Sequence, residues 1–204
     1  MIYALIPAAG KSERMGRPKL ALPLGGSTVL EVVIATLRRA RLERILVVVG
    51  PHVPQLTGLV TAAGAEYLLL GYETPSMRET ILEGVEEVED CYRPCLEDQL
   101  LLVPGDHPAL DAAVVGELLR ARSSNPHFSI VLPTFHGRRG HPVLIDWKHV
   151  CAFRETPPAT GLNAYLRHHA DETLEMPVDT AGVVRDLDTP EDYERLLQDW
   201  QPTE

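Results

Sequence analysis

Most of the reactive side chains this sequence gathers in one place lie in a short stretch, Pro7-Ala8-Ala9-Gly10-Lys11-Ser12-Glu13-Arg14-Met15-Gly16-Arg17-Pro18-Lys19. Ala8, Ala9 and Gly10 are small enough for backbone amides to approach a ligand, and successive amides in a glycine-rich turn form a nest for an anion. Lys11, Arg14, Arg17 and Lys19 then set four cations within nine residues of a chain whose formal net charge is -10. Such a local reversal of sign suits a polyphosphate. A Walker A loop is excluded, because it needs a glycine where Leu5 stands, and no G-x-G-x-x-G dinucleotide fingerprint occurs. Further along, Asp106 opens a turn before Pro108, and the adjacent Arg138 and Arg139 form a pair suited to a phosphorylated small molecule.

Alternating elements must position these groups. Short apolar runs at Ile2–Ile6, Arg44–Val49, Glu66–Leu70, Leu100–Val103 and Ser129–Leu132 predict strands, separated by segments of helical period. Thr28 with Glu31, and Ser76 with Glu79, match the capping-box pattern, and Asp111 is a further cap. This β-α-β alternation predicts an α/β fold: a Rossmann-like, mostly parallel sheet with helices on both faces. Ligands of open sheets sit beyond the carboxyl ends of the strands, so the loop after the first strand and Asp106 should share one edge.

After Leu132 the pattern changes. Gly137 and Gly140 within Thr134–Trp147 predict a hairpin or extended excursion, followed by a helix over Gly161–His169 and two short strands, Thr173–Val178 and Val183–Asp186. Thr189-Pro190-Glu191-Asp192 opens a last helix with threonine at the N-cap, proline at N1 and acids in the first turn. Residues 1–204 are therefore expected to form one domain, with about 1–133 binding the nucleotide and about 134–204 the acceptor.

The bulk composition narrows the function classes. A hydrophobic fraction of 45% with 24% charged residues is that of a globular protein. The acidic balance argues against nucleic acid or an anionic membrane as partner, since both need a broad basic surface. No apolar run reaches membrane-spanning length and no basic leader precedes Ile2, so the expected location is cytoplasmic. Cys91, Cys95 and Cys151 form neither a disulfide framework nor a zinc spacing.

The loop resembles the signature A-A-G-x-S-x-R-M-G-x-x-K of the MobA-like nucleotidyltransferases, especially the molybdenum-cofactor cytidylyltransferase branch. Ser76-Met77-Arg78-Glu79-Thr80-Ile81 with Gly84 is similar to that family's G-M-x-x-S-L-x-x-G element, and Gly105-Asp106-His107-Pro108 to its G-D-x-P turn. Arg139-Gly140-His141-Pro142-Val143-Leu144 and Asp186-Leu187-Asp188-Thr189-Pro190-Glu191-Asp192 resemble R-G-H-P-V-L and D-[IL]-D-T-P-E-D. The chain departs from the branch at Ser76, where glycine is usual, and at Ala159-Thr160-Gly161-Leu162-Asn163-Ala164, where G-D-x-G-A-R is usual.

The resemblance implies a three-layer sandwich of the GT-A type that moves CMP, or GMP, from an NTP to a phosphorylated small acceptor, plausibly the molybdopterin cofactor, and releases pyrophosphate. It implies Mg²⁺ held by Asp106 and a second carboxylate, for which Asp188 is chosen with Asp186 next. Arg14, Lys19 and Asp106 carry the catalytic roles. Ala8, Ala9, Gly10, Lys11, Ser12, Arg14, Met15, Gly16, Lys19, Met77 and Thr80 face the nucleotide, and Arg138, Arg139 and His141 the acceptor. The alanine at position 9 favours CTP over GTP. A molybdoenzyme would be a transient partner. Two rival readings are an NADPH-dependent oxidoreductase on the same MobA-like fold and a non-catalytic cofactor carrier.

Overall fold

A computed structural model of the chain describes residues 1–200. The elements run β1 (Ile2–Ala8), β2 (Pro23–Leu24), β3 (Ser27–Thr28), α1 (Val29–Arg39), β4 (Arg44–Val49), α2 (Leu56–Ala62), β5 (Glu66–Leu69), α3 (Met77–Tyr92), β6 (Gln99–Leu102) and α4 (Ala112–Ser124). They continue with β7 (Ile130–Phe135), β8 (Arg138–Arg139), β9 (Val143–Asp146), α5 (Trp147–Arg154), α6 (Leu162–His168), β10 (Thr173–Pro177) and α7 (Pro190–Asp199).

One sheet has the order β10-β7-β9-β6-β1-β4-β5, with β8 paired to β7. β9 is antiparallel to both its neighbours, β6 and β7, and β8 is antiparallel to β7; the other pairings are parallel. The expected mostly parallel sheet with helices on both faces is therefore the fold. Period-2 alternation sorts the core. Ala4, Ile6 and Ala8 of β1 join the cluster under α1, α2, α4 and α7, whereas Tyr3 and Leu5 join the cluster under α3, α5 and α6.

Local signals read in the sequence account for the helix ends. Thr28 accepts from the Glu31 amide, while Glu31 bonds back to the Thr28 amide. Thr189 and Asp192 do the same at α7, with Pro190 at N1. Ser76 caps α3 by accepting from the Arg78 amide at 3.1 Å, while the Glu79 carboxylate accepts from the Ser76 hydroxyl rather than from its amide, so the expected box does not form. Asp111 accepts from the Ala113 amide at 2.8 Å.

Two expectations are corrected. Val183–Asp186 is not a strand: Ala181–Val184 makes a 3-10 turn, begun by Thr180 accepting from the Gly182 amide at 3.2 Å, and the chain then runs extended without a ladder. β7 also reaches Phe135, three residues beyond the predicted strand, because β10 pairs with it in parallel as far as Thr134 and β8 pairs with it antiparallel through Phe135. The Gly25-Gly26 turn between β2 and β3, and α5, are elements the sequence reading passed over.

Gly84 sets how close α3 comes to the sheet. A Cβ there would lie 2.4 Å from Leu5 Cδ1 and 2.6 Å from Val48 Cγ2. Gly84→Ala is therefore expected to cost about 1–3 kcal/mol by overpacking. Urea unfolding measures it, and an unchanged midpoint would mean that α3 has room to spare.

Candidate active site

β1 delivers the chain to the carboxyl edge of the sheet at Ala8, where residues 9–18 turn back. Ser12 and Gly16 adopt left-handed backbone, φ 54° and 67°, around a single 3-10 turn at Glu13–Met15. The Gly16 amide donates to the Ser12 and Glu13 carbonyls at 3.1 Å, and the Lys19 amide donates to Ser12 Oγ at 3.2 Å. Met15 is buried and ties the turn into the core. Loop and turn wall one side of a cleft of about 630 Å³, completed by His52 after β4, by Glu73 to Met77 and Thr80 around the start of α3, and by Asp188 before α7.

At the base of this cleft lies one shared cation. Lys19 Nζ contacts Asp106 Oδ2 at 2.5 Å and Asp188 Oδ1 at 2.9 Å, and Arg14 contacts Asp188 Oδ2 at 2.8 Å. A backbone bond from the Leu187 amide to the Asp106 carbonyl, 3.0 Å, brings the two acidic segments side by side. Burial pulls the Lys19 pKa down, but the charges and hydrogen bonds of Asp106 and Asp188 outweigh it, and the net shift is upward. Asp188 is held below the usual carboxylate range, foremost by the hydrogen bond from Lys19. Two carboxylates that would repel each other are thus neutralised by an ammonium rather than left facing each other. The same convergence fits a divalent cation: two carboxylate oxygens already address one positive centre, and such ions take a few carboxylates together with phosphate oxygens.

The expected cationic nest is less free than its sequence suggests. Lys11 pairs with Glu73 at 2.8 Å, Arg14 and Lys19 pair with the aspartates, and Arg17 lies over the Tyr193 ring at 5.5 Å from its centroid. Carboxylates from three distant segments have folded onto the loop.

Of the residues expected to face the nucleotide, Ala9, Gly10, Lys11, Ser12, Arg14, Lys19, Met77 and Thr80 line the cleft. Ala8 and Met15 are buried in the core instead, and Gly16 closes the turn. Thr80 is also buried, with its hydroxyl 2.6 Å from that of Thr74. His52 and Glu73 were not foreseen. Both follow strands, at the edge where ligands of open sheets bind, and that rule is the signal that could have found them.

The three acceptor candidates are not gathered together. Arg139 pairs with Glu175 at 2.7 Å, while Arg138 lines a separate cleft of about 240 Å³ with Arg185, Arg195 and Asp186. Successive residues on a strand point to opposite faces, which separates the two arginines. His141 packs edge-on against His107, 5.2 Å between centroids, and burial with that neighbour pushes its pKa down to about 4. His107 is shifted down by burial as well. Both rings are neutral at pH 7.

Arg78 has a structural role in this arrangement. Its buried guanidinium donates to the Phe153, Arg154, Thr156 and Thr160 carbonyls and to Thr156 Oγ1, at 3.0–3.2 Å, above the Phe153 ring. It satisfies the orphan carbonyls at the end of α5 and pins residues 153–160 beside the first turn of α3.

Residues 4–174 match the family profile of the MobA-like NTP transferase domain. The chain belongs to that family. It is 24% identical over 192 residues to the molybdenum cofactor cytidylyltransferase of Escherichia coli, covering 94% of this chain and 93% of the relative. It is 28% identical over 146 residues to the bifunctional protein GlmU of a Synechococcus strain, covering 68% of this chain but only 31% of that longer protein. Among solved structures, the manganese complex of Rv0371C from Mycobacterium tuberculosis superposes with a TM-score of 0.75 at 21% identity, covering 98% of this chain and 99% of the other. That likeness is one of fold.

This MobA-like domain therefore carries its acidic pair against the signature lysine. Asp188, with its pKa depressed in the folded state, contributes stability that is present above the unfolded value, about 3.9, and is lost as pH falls through the folded value. Wild type should exceed Asp188→Asn in stability at neutral pH, with the gap closing below about pH 4. Chemical denaturation of both proteins from acid to neutral pH tests this, and a gap independent of pH would remove the ion pair from the account.

Proposed function

We propose that this protein is a Mg²⁺-dependent nucleotidyltransferase that moves CMP from CTP, in preference to GMP from GTP, to the phosphate of a small acceptor. The reading rests on one observation, the sharing of the Lys19 ammonium by Asp106 and Asp188 at the base of the glycine-rich cleft. Family membership supplies the NTP. The cytidylyltransferase of Escherichia coli suggests the molybdopterin cofactor as acceptor, with a molybdoenzyme as transient partner. No helix among the described residues is long and apolar enough to cross a membrane, and a cytoplasmic location accords with that.

An acceptor phosphate oxygen attacks the α-phosphorus in line, the bond from that phosphorus to the β-phosphate oxygen breaks, and pyrophosphate leaves. Asp106 and Asp188 would hold the divalent ion, which when bound supplies Lewis-acid neutralisation of the triphosphate. Lys19 and Arg14 exchange their carboxylate partners for phosphate oxygens and stabilise the charge that develops on the equatorial and leaving oxygens. The backbone of Ala9 to Ser12 cradles the phosphates, and exposed Met77 offers an apolar surface at the rim. Residues 134–204 supply the acceptor side, with Arg138, Arg139 and His141 as its candidates.

Incubation with each NTP, Mg²⁺ and candidate acceptors, read by pyrophosphate release and product mass, tests the reaction. Nicotinamide oxidation without pyrophosphate would favour the reductase, and saturable binding without turnover the carrier. Lys19→Ala should lower turnover on the order of 10²–10³-fold, with a local loss of stability where Asp106 and Asp188 lose their shared cation. It should also tighten Mg²⁺ binding in the absence of nucleotide, because the competing ammonium is gone. Asp106→Asn and Asp188→Asn should each remove most activity, and the double variant should be little worse than the poorer single. Full turnover in Asp188→Asn would exclude it as a ligand.

A further inference from the structure

The edge of the sheet opposite the cleft carries a second convergence of donor groups. Ser129 precedes β7 and Glu172 precedes β10, so both lie at the amino ends of parallel strands. His149 projects from α5, and His169 follows α6. His149 Nε2 lies 3.4 Å from Glu172 Oε2, and His169 Nδ1 lies 3.2 Å from Glu172 Oε1. One ligand atom from each of the three side chains falls within 4.8 Å of the others. Zinc bonds of about 2.0–2.1 Å in tetrahedral geometry separate ligand atoms by roughly 3.3 Å. The two contacts fall near that spacing, one at each oxygen of the Glu172 carboxylate.

We infer that His149, His169 and Glu172 form a site for one transition-metal ion of the zinc class, distinct from the catalytic edge, that joins α5 to the segment linking α6 and β10. Two imidazoles and a carboxylate are a donor set that zinc uses. The His149 ring is oriented by a 2.8 Å hydrogen bond between Nδ1 and the Tyr165 hydroxyl, the outer-shell contact that fixes a ligating histidine. Ser129 Oγ, 2.7 Å from His149 Nε2 and 3.0 Å from Glu172 Oε2, occupies both ligand atoms through hydrogen bonds, and its hydroxyl must turn away for the ion to bind. The partly exposed His169 and Glu172 leave an entry path. Lys148, 2.8 Å from Glu172 Oε2, must swing away, which its half-exposed side chain permits.

The test uses the full chain, stripped with chelator and carrying Asp106→Asn and Asp188→Asn to silence the cleft. Zn²⁺ alone is titrated by calorimetry and by thermal unfolding, and Co²⁺ by visible absorption. One bound equivalent, a rise in Tm and a tetrahedral Co²⁺ band are expected. His169→Ala and Glu172→Gln, both at partly exposed positions, should keep the circular dichroism of the parent yet weaken binding by more than about tenfold. The inference is overturned by an absence of Zn²⁺ binding, by unchanged affinity in His169→Ala and Glu172→Gln, or by a sulfur-to-cobalt charge-transfer band assigning the ion to Cys91, Cys95 or Cys151.

Discussion

The ammonium of Lys19, held between Asp106 and Asp188, is the contact on which the rest of the site depends. It joins the end of the glycine-rich loop to the turn after β6 and to the strap before α7. Each partner is largely withdrawn from water, so removing any one leaves an uncompensated charge that water screens poorly. The loop, the turn and the strap are thereby held at one point of the sheet edge.

The sheet makes that contact possible. β1 sits centrally between β4 and β6 with every residue after Ile2 buried, and its two faces are filled by different helices. Its carboxyl end is therefore fixed from both sides, and the loop leaves it from a rigid origin. β9 runs antiparallel between β6 and β7, which sends Asp146 to the opposite edge, where Arg122 pairs with it at 2.6 Å. The two edges have thus become chemically different. One gathers lysine, arginine and aspartate around a cleft; the other adds histidine, glutamate and serine to its own arginine–aspartate pair.

Arg78 links the start of α3 to the last third of the chain. Five donors in a rigid fork can satisfy several orphan carbonyls at once. The segment it pins, residues 153–160, leads directly to Gly161, in the stretch where the sequence departs from the cytidylyltransferase pattern. The fold of that region is therefore kept by a side chain from α3 while its own side chains differ.

Features governed by near neighbours were legible in the sequence. The strand before the loop, the caps at Thr28, Asp111 and Thr189, and the parallel alternation follow from periodicity and from side chains reaching amides two or three residues away. The loop's small and cationic residues pointed to an anion, and the family resemblance pointed to Asp106 and a second carboxylate, with Asp188 ahead of Asp186. What the sequence could not decide was partnership. Lys19 meets carboxylates 87 and 169 residues away, and Lys11 meets Glu73, so cations that read as free are paired. Arg138 and Arg139 read as a pair, yet strand geometry sends them to different surroundings, and Met15 reads as part of the ligand loop, yet the core claims it. Charges act through space with a reach of several ångströms, and only the folded sheet edge sets which of them lie within it.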